Sequence, residues 1–173
     1  MLIEQGIANW QEAIAYIQQL PYGRNANRKY LSLVISEGKG TCSSKHALLK
    51  ALVDENSIKG VKLILGIYKM TEENTPGIRN HITKSGLPYI PEAHCYLKIY
   101  GARKDLTSGS SSISRIEDAI LSETEIDPNQ VSEWKVDFHK RFIDAWSVSE
   151  GIIMDFDTIW NIRERCINSL SNS

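Results

Sequence analysis

Cys42, His94 and Asp105 are the residues of this chain whose types and order suit nucleophilic chemistry. Cys42 lies in Gly38-Lys-Gly-Thr-Cys-Ser-Ser-Lys-His-Ala-Leu-Leu-Lys-Ala-Leu52, where two glycines end an apolar segment and Ala47, Leu48, Ala51 and Leu52 recur at helical spacing. The cysteine therefore opens a helix. The unshared N–H groups of a first helical turn, with the helix dipole, favour a thiolate over a thiol and suit an oxyanion equally well. A cysteine with the ordinary pKa of about 8.5 is only a few per cent ionised at neutral pH, so a nucleophilic role requires such help. A buried, inert cysteine packed under the glycine turn is the alternative, and a partner base decides between the two.

The candidate base stands on a predicted strand. Ala93-His-Cys-Tyr-Leu-Lys-Ile-Tyr100 alternates, with Ala93, Cys95, Leu97 and Ile99 on the core face and His94, Tyr96, Lys98 and Tyr100 on the other. A turn at Gly101-Ala102 leads into a returning strand that begins Arg103-Lys-Asp-Leu-Thr. Cys42 would attack a carbonyl, His94 would take and return the proton, and Asp105 would hold the ring. A turn centred on Gly101-Ala102 places Asp105 opposite Lys98, so meeting His94 requires a twist, a bulge or another register. Glu92, two residues before His94 on the same face, is the alternative orienting carboxylate. Asn25, Asn27 and the Cys42 backbone N–H are the candidate oxyanion donors.

The elements that must position these groups are legible in order. Asn9-Trp-Gln-Glu12 caps a first helix whose Trp10, Ile14, Ile17 and Leu20 share a side, and Pro21 stops it. Tyr30 to Ile35 is a short helix or a short strand by its period, and reads as a helix because it runs directly into the glycine turn. The Cys42 helix ends near Asp54-Glu55-Asn56, and Ile58 to Met70 is β-branched and aromatic enough for a central strand. Thr71 to Pro91, with its prolines and little period, reads as a long connection in which His81 faces solvent. Ser108 to Ser112 is a Gly/Ser linker, and Ser114-Arg-Ile-Glu117 is the capping box of a brief helix. Asp127-Pro128 caps a further helix lined by Trp134, Phe138 and Trp146, on which His139 reads as a surface residue. A last helix from about Asp157 packs through Ile159, Ile162, Cys166 and Leu170.

Composition narrows the function classes. With 173 residues, 42% of them hydrophobic, the chain is long enough for a sizeable core, and a net charge of −1 gives no electrostatic footprint for nucleic acid or an anionic membrane. Three cysteines at positions 42, 95 and 166 make no disulfide framework and no C-x-x-C pair. The scattered histidines offer no metal-ligand spacing, so neither metal nor cofactor is expected. The start, Met1-Leu-Ile-Glu-Gln, lacks the basic and apolar runs of a signal peptide, and no stretch approaches the ~18 apolar residues of a membrane span. A cytoplasmic protein is expected.

Gly40-Thr-Cys42 followed by Ala47-Leu-Leu and Ala51-Leu, the strand Val61-Lys-Leu-Ile-Leu-Gly, Glu92-Ala-His94 opening a strand, and Asp105-Leu-Thr closing the hairpin together resemble the transglutaminase-like branch of the papain-like cysteine enzymes. The likeness covers roughly residues 30 to 110. It implies an α+β fold in which an antiparallel sheet packs against the helix whose N-terminus carries Cys42. C-terminal helices over about 114–170 would complete a single domain, 1–173. It further implies a hydrolase or acyltransferase with a Cys42-His94-Asp105 triad, acting through a Cys42 acyl-enzyme on a peptide, a protein, or a small amide or thioester. Members of the group include protein cross-linkers, peptide and amide hydrolases, and domains that have lost activity. The alternative is therefore an inactive domain that binds a peptide or protein under the Thr71 to Pro91 segment.

Overall fold

The computed structural model describes residues 6–170; the chain start read above, Met1–Gln5, lies outside them. The fold is α+β, built on a four-stranded antiparallel sheet. Helix α1 (Trp10–Gln19) begins where Asn9 Oδ1 accepts the Glu12 N–H, while the Glu12 carboxylate reaches back to the Ala8 N–H at 2.7 Å. After the single turn of α2 (Leu33–Ser36) the chain reverses through Gly38, whose φ of +60° a side chain rarely adopts. Gly40 is needed for a different reason. A Cβ there would lie 2.9 Å from the Lys45 Cγ and 3.0 Å from the Ser44 Oγ, so only a glycine lets this strand of chain lie against the next helix.

That helix, α3 (Cys42–Glu55), starts with a capping box: Thr41 Oγ1 accepts the Ser44 N–H and Ser44 Oγ accepts the Thr41 N–H. Its residues 42–49 are all buried, polar ones included, which marks a helix enclosed on all sides in its first two turns. The strands are β1 (Val61–Met70), β2 (Ile90–Ile99), β3 (Ala102–Lys104) and β4 (Ile120–Glu125), in spatial order β3-β2-β1-β4. Between β1 and β2 stands a short helix, α4 (His81–Ser85), and the chain closes with α5 (Glu133–Ser149) and α6 (Phe156–Leu170).

Four expectations are corrected. Thr71 to Pro91 is not a bare connection: it contains α4, and His81 is half-buried with its Nε2 3.1 Å from the Ser169 Oγ. The segment after the Gly/Ser linker forms two 3-10 turns and then the strand β4, which the sequence reading missed altogether. Asp127-Pro128 opens a 3-10 turn over 128–131 rather than the long helix, which starts at Glu133. The hairpin turns on Tyr100-Gly101, both at positive φ, +48° and +86°, the pair of values that a two-residue turn of matching twist demands.

The chain divides into two compact units, and β1, β2 and β4 each run from one into the other. The first unit holds the chain through Leu65, His94–Ile113 and Thr124–Ser132; Ile17, Val34, Leu49, Leu63 and Leu97 are fully buried in it. The second holds Gly66–Ala93, Ser114–Glu123 and the chain from Glu133, with Ile67, Met70, Ile78, Ile90, Ile143 and Cys166 fully buried.

Candidate active site

Cys42, His94 and Asp105 all belong to the first unit, and the structure brings them together. The hairpin register explains how. Leu97 pairs with Lys104, so Asp105, the next residue, falls opposite Tyr96 on the face that also carries His94. It lies one diagonal step from the histidine, and His94 Nε2 is 3.0 Å from Asp105 Oδ2. The expected clash of register with Lys98 is absent because the turn sits one residue earlier than a Gly101-Ala102 centre would put it. The second carboxylate oxygen, Oδ1, accepts the Thr107 N–H at 3.0 Å and the Thr107 hydroxyl at 2.6 Å, which fixes the carboxylate's plane.

The other side of the imidazole faces the sulfur, since the side chains of His94 and Cys42 are hydrogen-bonded. With Nε2 spent on Asp105, Nδ1 is the nitrogen left for Cys42. Burial of the His94 ring disfavours its charge, but the Cys42 and Asp105 charges outweigh that and hold its pKa well above the usual histidine range. Burial likewise acts against ionised Asp105, and the His94 charge with the His94 hydrogen bond overcomes it, holding the carboxyl well below the usual range. The attraction between sulfur and ring is mutual, so an imidazolium held beside Cys42 stabilises a thiolate on it. Cys42 is 8% exposed at the N-terminus of α3, and the His94 ring is stacked on Tyr96 with centroids 6.1 Å apart.

The competing carboxylate is occupied elsewhere. Glu92, in the second unit, takes a two-pronged bond from Arg163, with Nε to Oε2 at 2.7 Å and Nη2 to Oε1 at 2.5 Å. Burial opposes its charge, yet Arg163 beside it brings its pKa down to about 2. His139, expected on the surface, is instead buried 3.9 Å from this carboxylate, with its Nε2–H donated to the Pro91 carbonyl at 2.7 Å. The two upstream asparagines are engaged locally. The Asn25 amide nitrogen lies within hydrogen-bond distance of the carbonyls of Leu33 and Lys39 and of the Glu37 carboxylate, tying down the glycine turn, and Asn27 Oδ1 accepts the Lys29 N–H. A cavity of about 890 Å³ in the first unit, lined by Trp10, Leu31, Ile35, Leu48 and Leu52 among others, includes none of the three site residues.

No protein-family model, curated protein or solved structure matches the chain.

Two residues that the sequence reading passed over belong to the same cluster. His46 is fully buried with both nitrogens spent on backbone: Nδ1–H donates to the Cys42 carbonyl at 2.7 Å, and Nε2 accepts the Leu106 N–H at 2.7 Å. Lys45, also fully buried, donates from Nζ to the carbonyls of Leu20 and Thr107. Burial lowers the Lys45 pKa to about 8 against the pull of the Cys42 and Asp105 charges. The one hint in the sequence was position: both residues fall on the turn after the cysteine, in a helix start too polar for an ordinary amphipathic face.

Proposed function

We propose that this protein is a transglutaminase-like cysteine enzyme that hydrolyses or transfers the acyl group of an amide or thioester through a thioester on Cys42. The observation that carries the reading is the single imidazole, His94, hydrogen-bonded to Asp105 at 3.0 Å on one side and to the Cys42 side chain on the other. In the first half-reaction the Cys42 thiolate attacks the carbonyl carbon and a C–S bond forms. The developing oxyanion is favoured by the amino end of α3. The imidazolium of His94 then gives its proton to the leaving amine or thiol as that bond breaks. In the second, neutral His94 takes a proton from water or another acceptor nucleophile, which attacks the thioester and releases Cys42 as thiolate. Asp105 holds the ring in one orientation and stabilises its charge throughout.

The substrate class is a peptide, a protein, or a small amide or thioester. A net charge of −1 argues against nucleic acid as a partner, and among the described residues no helix is long and apolar enough to cross a membrane. Three cysteines outside any disulfide and a thiolate mechanism fit a reducing compartment, the cytoplasm.

Iodoacetamide labelling of the folded protein, read by mass spectrometry, tests the reading. Cys42 should react far faster than Cys95 and Cys166; burial pushes the Cys166 thiol up to about 11. The Cys42 rate should also stay level through neutral pH, where an unassisted thiol of pKa about 8.5 loses roughly tenfold per pH unit. Equal rates at the three cysteines would sink the enzymatic reading and leave a binding domain. A Cys42→Ala variant that still holds its partner, with no acyl adduct ever trapped on the parent, would point the same way.

A further inference from the structure

We propose that His46, with Lys45 beside it, is the positioning residue of this site: its neutral ring ties the backbone of the nucleophile to the loop that carries the orienting carboxylate. The proposal rests on the acyl-enzyme reading above and deepens it.

The loop needs such a tie. The paired residues end at Lys104; the register aims Asp105 at the His94 face, and Asp105, Leu106 and Thr107 follow the last paired position. What holds them is α3, the helix that also presents Cys42. The Leu106 N–H is taken by His46, the Thr107 carbonyl by Lys45, and Thr107 in turn donates twice to Asp105. One turn of one helix thus sets both ends of the Cys42–His94–Asp105 line.

The bonds also dictate the state of the ring. A backbone amide can only donate, so His46 Nε2 must accept from Leu106 and the proton must sit on Nδ1, where it meets the Cys42 carbonyl. A protonated His46 would lose the Leu106 bond. It would also place a second cation beside the His94 imidazolium, whose ring centroid is 6.4 Å away. Burial keeps the ring neutral, lowering its pKa to about 4 despite the Asp105 charge 3.9 Å from Nε2.

Two amide variants separate the ring's two bonds. His46→Asn places an amide near Nδ1, able to donate to Cys42 but too short for Leu106; His46→Gln places its carbonyl near Nε2, where it can accept the Leu106 N–H. Two readouts apply: the rate of Cys42 alkylation or turnover, and the low-field NMR signal of the proton that His94 shares with Asp105. His46→Asn should slow Cys42 by about 10²-fold, the cost of a displacement on the order of 1 Å, weaken the His94 signal and return the His94 titration toward ordinary values. His46→Gln should keep both within about tenfold of the parent on the same argument. Equal effects of the two variants, or an unchanged His94 signal in His46→Asn while Asp105→Asn abolishes it, would overturn the proposal.

If the variants fail to fold, nitrogen-15 NMR of the parent decides. His46 should be a neutral Nδ1–H tautomer throughout pH 5 to 8, and an Nε2–H tautomer or an ordinary titration there would count against the strut. Failure of the acyl-enzyme reading shows separately, as a slow Cys42 in the parent, and leaves these NMR signals interpretable.

Discussion

Half-buried Asp105 and buried Glu92 are the two carboxylates nearest His94 in sequence, yet their surroundings differ. Asp105 spends one oxygen on an imidazole and the other on its own loop, whereas both oxygens of Glu92 are spent on Arg163. If the proposed acyl-enzyme chemistry holds, replacing Asp105 by asparagine should reduce turnover by about 10³- to 10⁴-fold, the scale for losing a carboxylate that holds a catalytic ring, with circular dichroism unchanged. Glu92→Gln should do the reverse. It takes the buried carboxylate from Arg163 and leaves Glu164 as its remaining anionic partner, which should lower stability in denaturant unfolding by up to about 3 kcal/mol, while the folded fraction alkylates at Cys42 as fast as the parent. A loss of Cys42 reactivity in folded Glu92→Gln would move the orienting role to Glu92.

At the scale of elements, α3 decides most of what the site can be. Its first turn presents the sulfur, its second supplies His46 and Lys45, and its cap holds the start in place. Thr41 Oγ1 satisfies one of the orphan amides, so Thr41→Ala should lower stability by about 1 kcal/mol, while Thr41→Ser should come within a few tenths of the parent. Unfolding midpoints in urea would measure the difference. Gly40→Ala brings a Cβ to 2.9 Å from the stem of Lys45, which is pinned at its far end by two carbonyls and has little room to yield. That overpacking should cost about 1–3 kcal/mol, and it should slow Cys42 because the displaced lysine holds the Thr107 end of the loop. Full stability and full Cys42 reactivity in Gly40→Ala would show that the lysine stem gives way freely.

For the whole molecule, the consequence of this architecture is acid sensitivity. Each unit carries one buried histidine kept neutral: His46 in the first and His139 in the second, both lowered by burial to about 4. Unfolded, each would bind its proton near 6.5. Between 6.5 and 4 the unfolded chain therefore holds more protons than the native one, and stability falls as pH falls through that window. The loss by pH 5 is roughly 2 kcal/mol for each ring. His94 has the opposite sign: with its pKa raised, its contribution is full below about 6.5 and is lost only as pH rises through its folded value. Asp105, depressed by its neighbours, contributes above about 3.8 and loses that contribution as pH falls below it. Denaturant midpoints measured from pH 6.5 to 5 should thus decline, and His139→Gln should remove about one proton from the slope. A flat profile would mean that these rings are protonated in the folded chain.

Local signals in the chain were enough to determine α1 with its Asn9 cap, the helix opened by Cys42, the strands around Val61 and His94, and the packing side of α6 through Ile159, Ile162 and Cys166. Each depends on period, caps and propensity within a dozen residues. That Cys42, His94 and Asp105 could meet was legible for the same reason, because the order of cysteine helix, strand and hairpin is written along the chain. What only the tertiary structure decided depends on a distant partner. Strand β4 has no clear apolar alternation in Ile-Leu-Ser-Glu-Thr-Glu and exists because it lies beside β1, with Glu125 paired to Lys62 at 2.7 Å and the Ile126 N–H given to the Leu63 carbonyl. Buried His139 finds its partner in Pro91, 48 residues away, whose carbonyl accepts the hydrogen bond from its Nε2–H. His46 and Lys45 sit in full view beside Cys42, but their task is set by Leu106 and Thr107, some 60 residues further along. A polar side chain's partner is a matter of three-dimensional proximity, and its own sequence neighbourhood carries no trace of it.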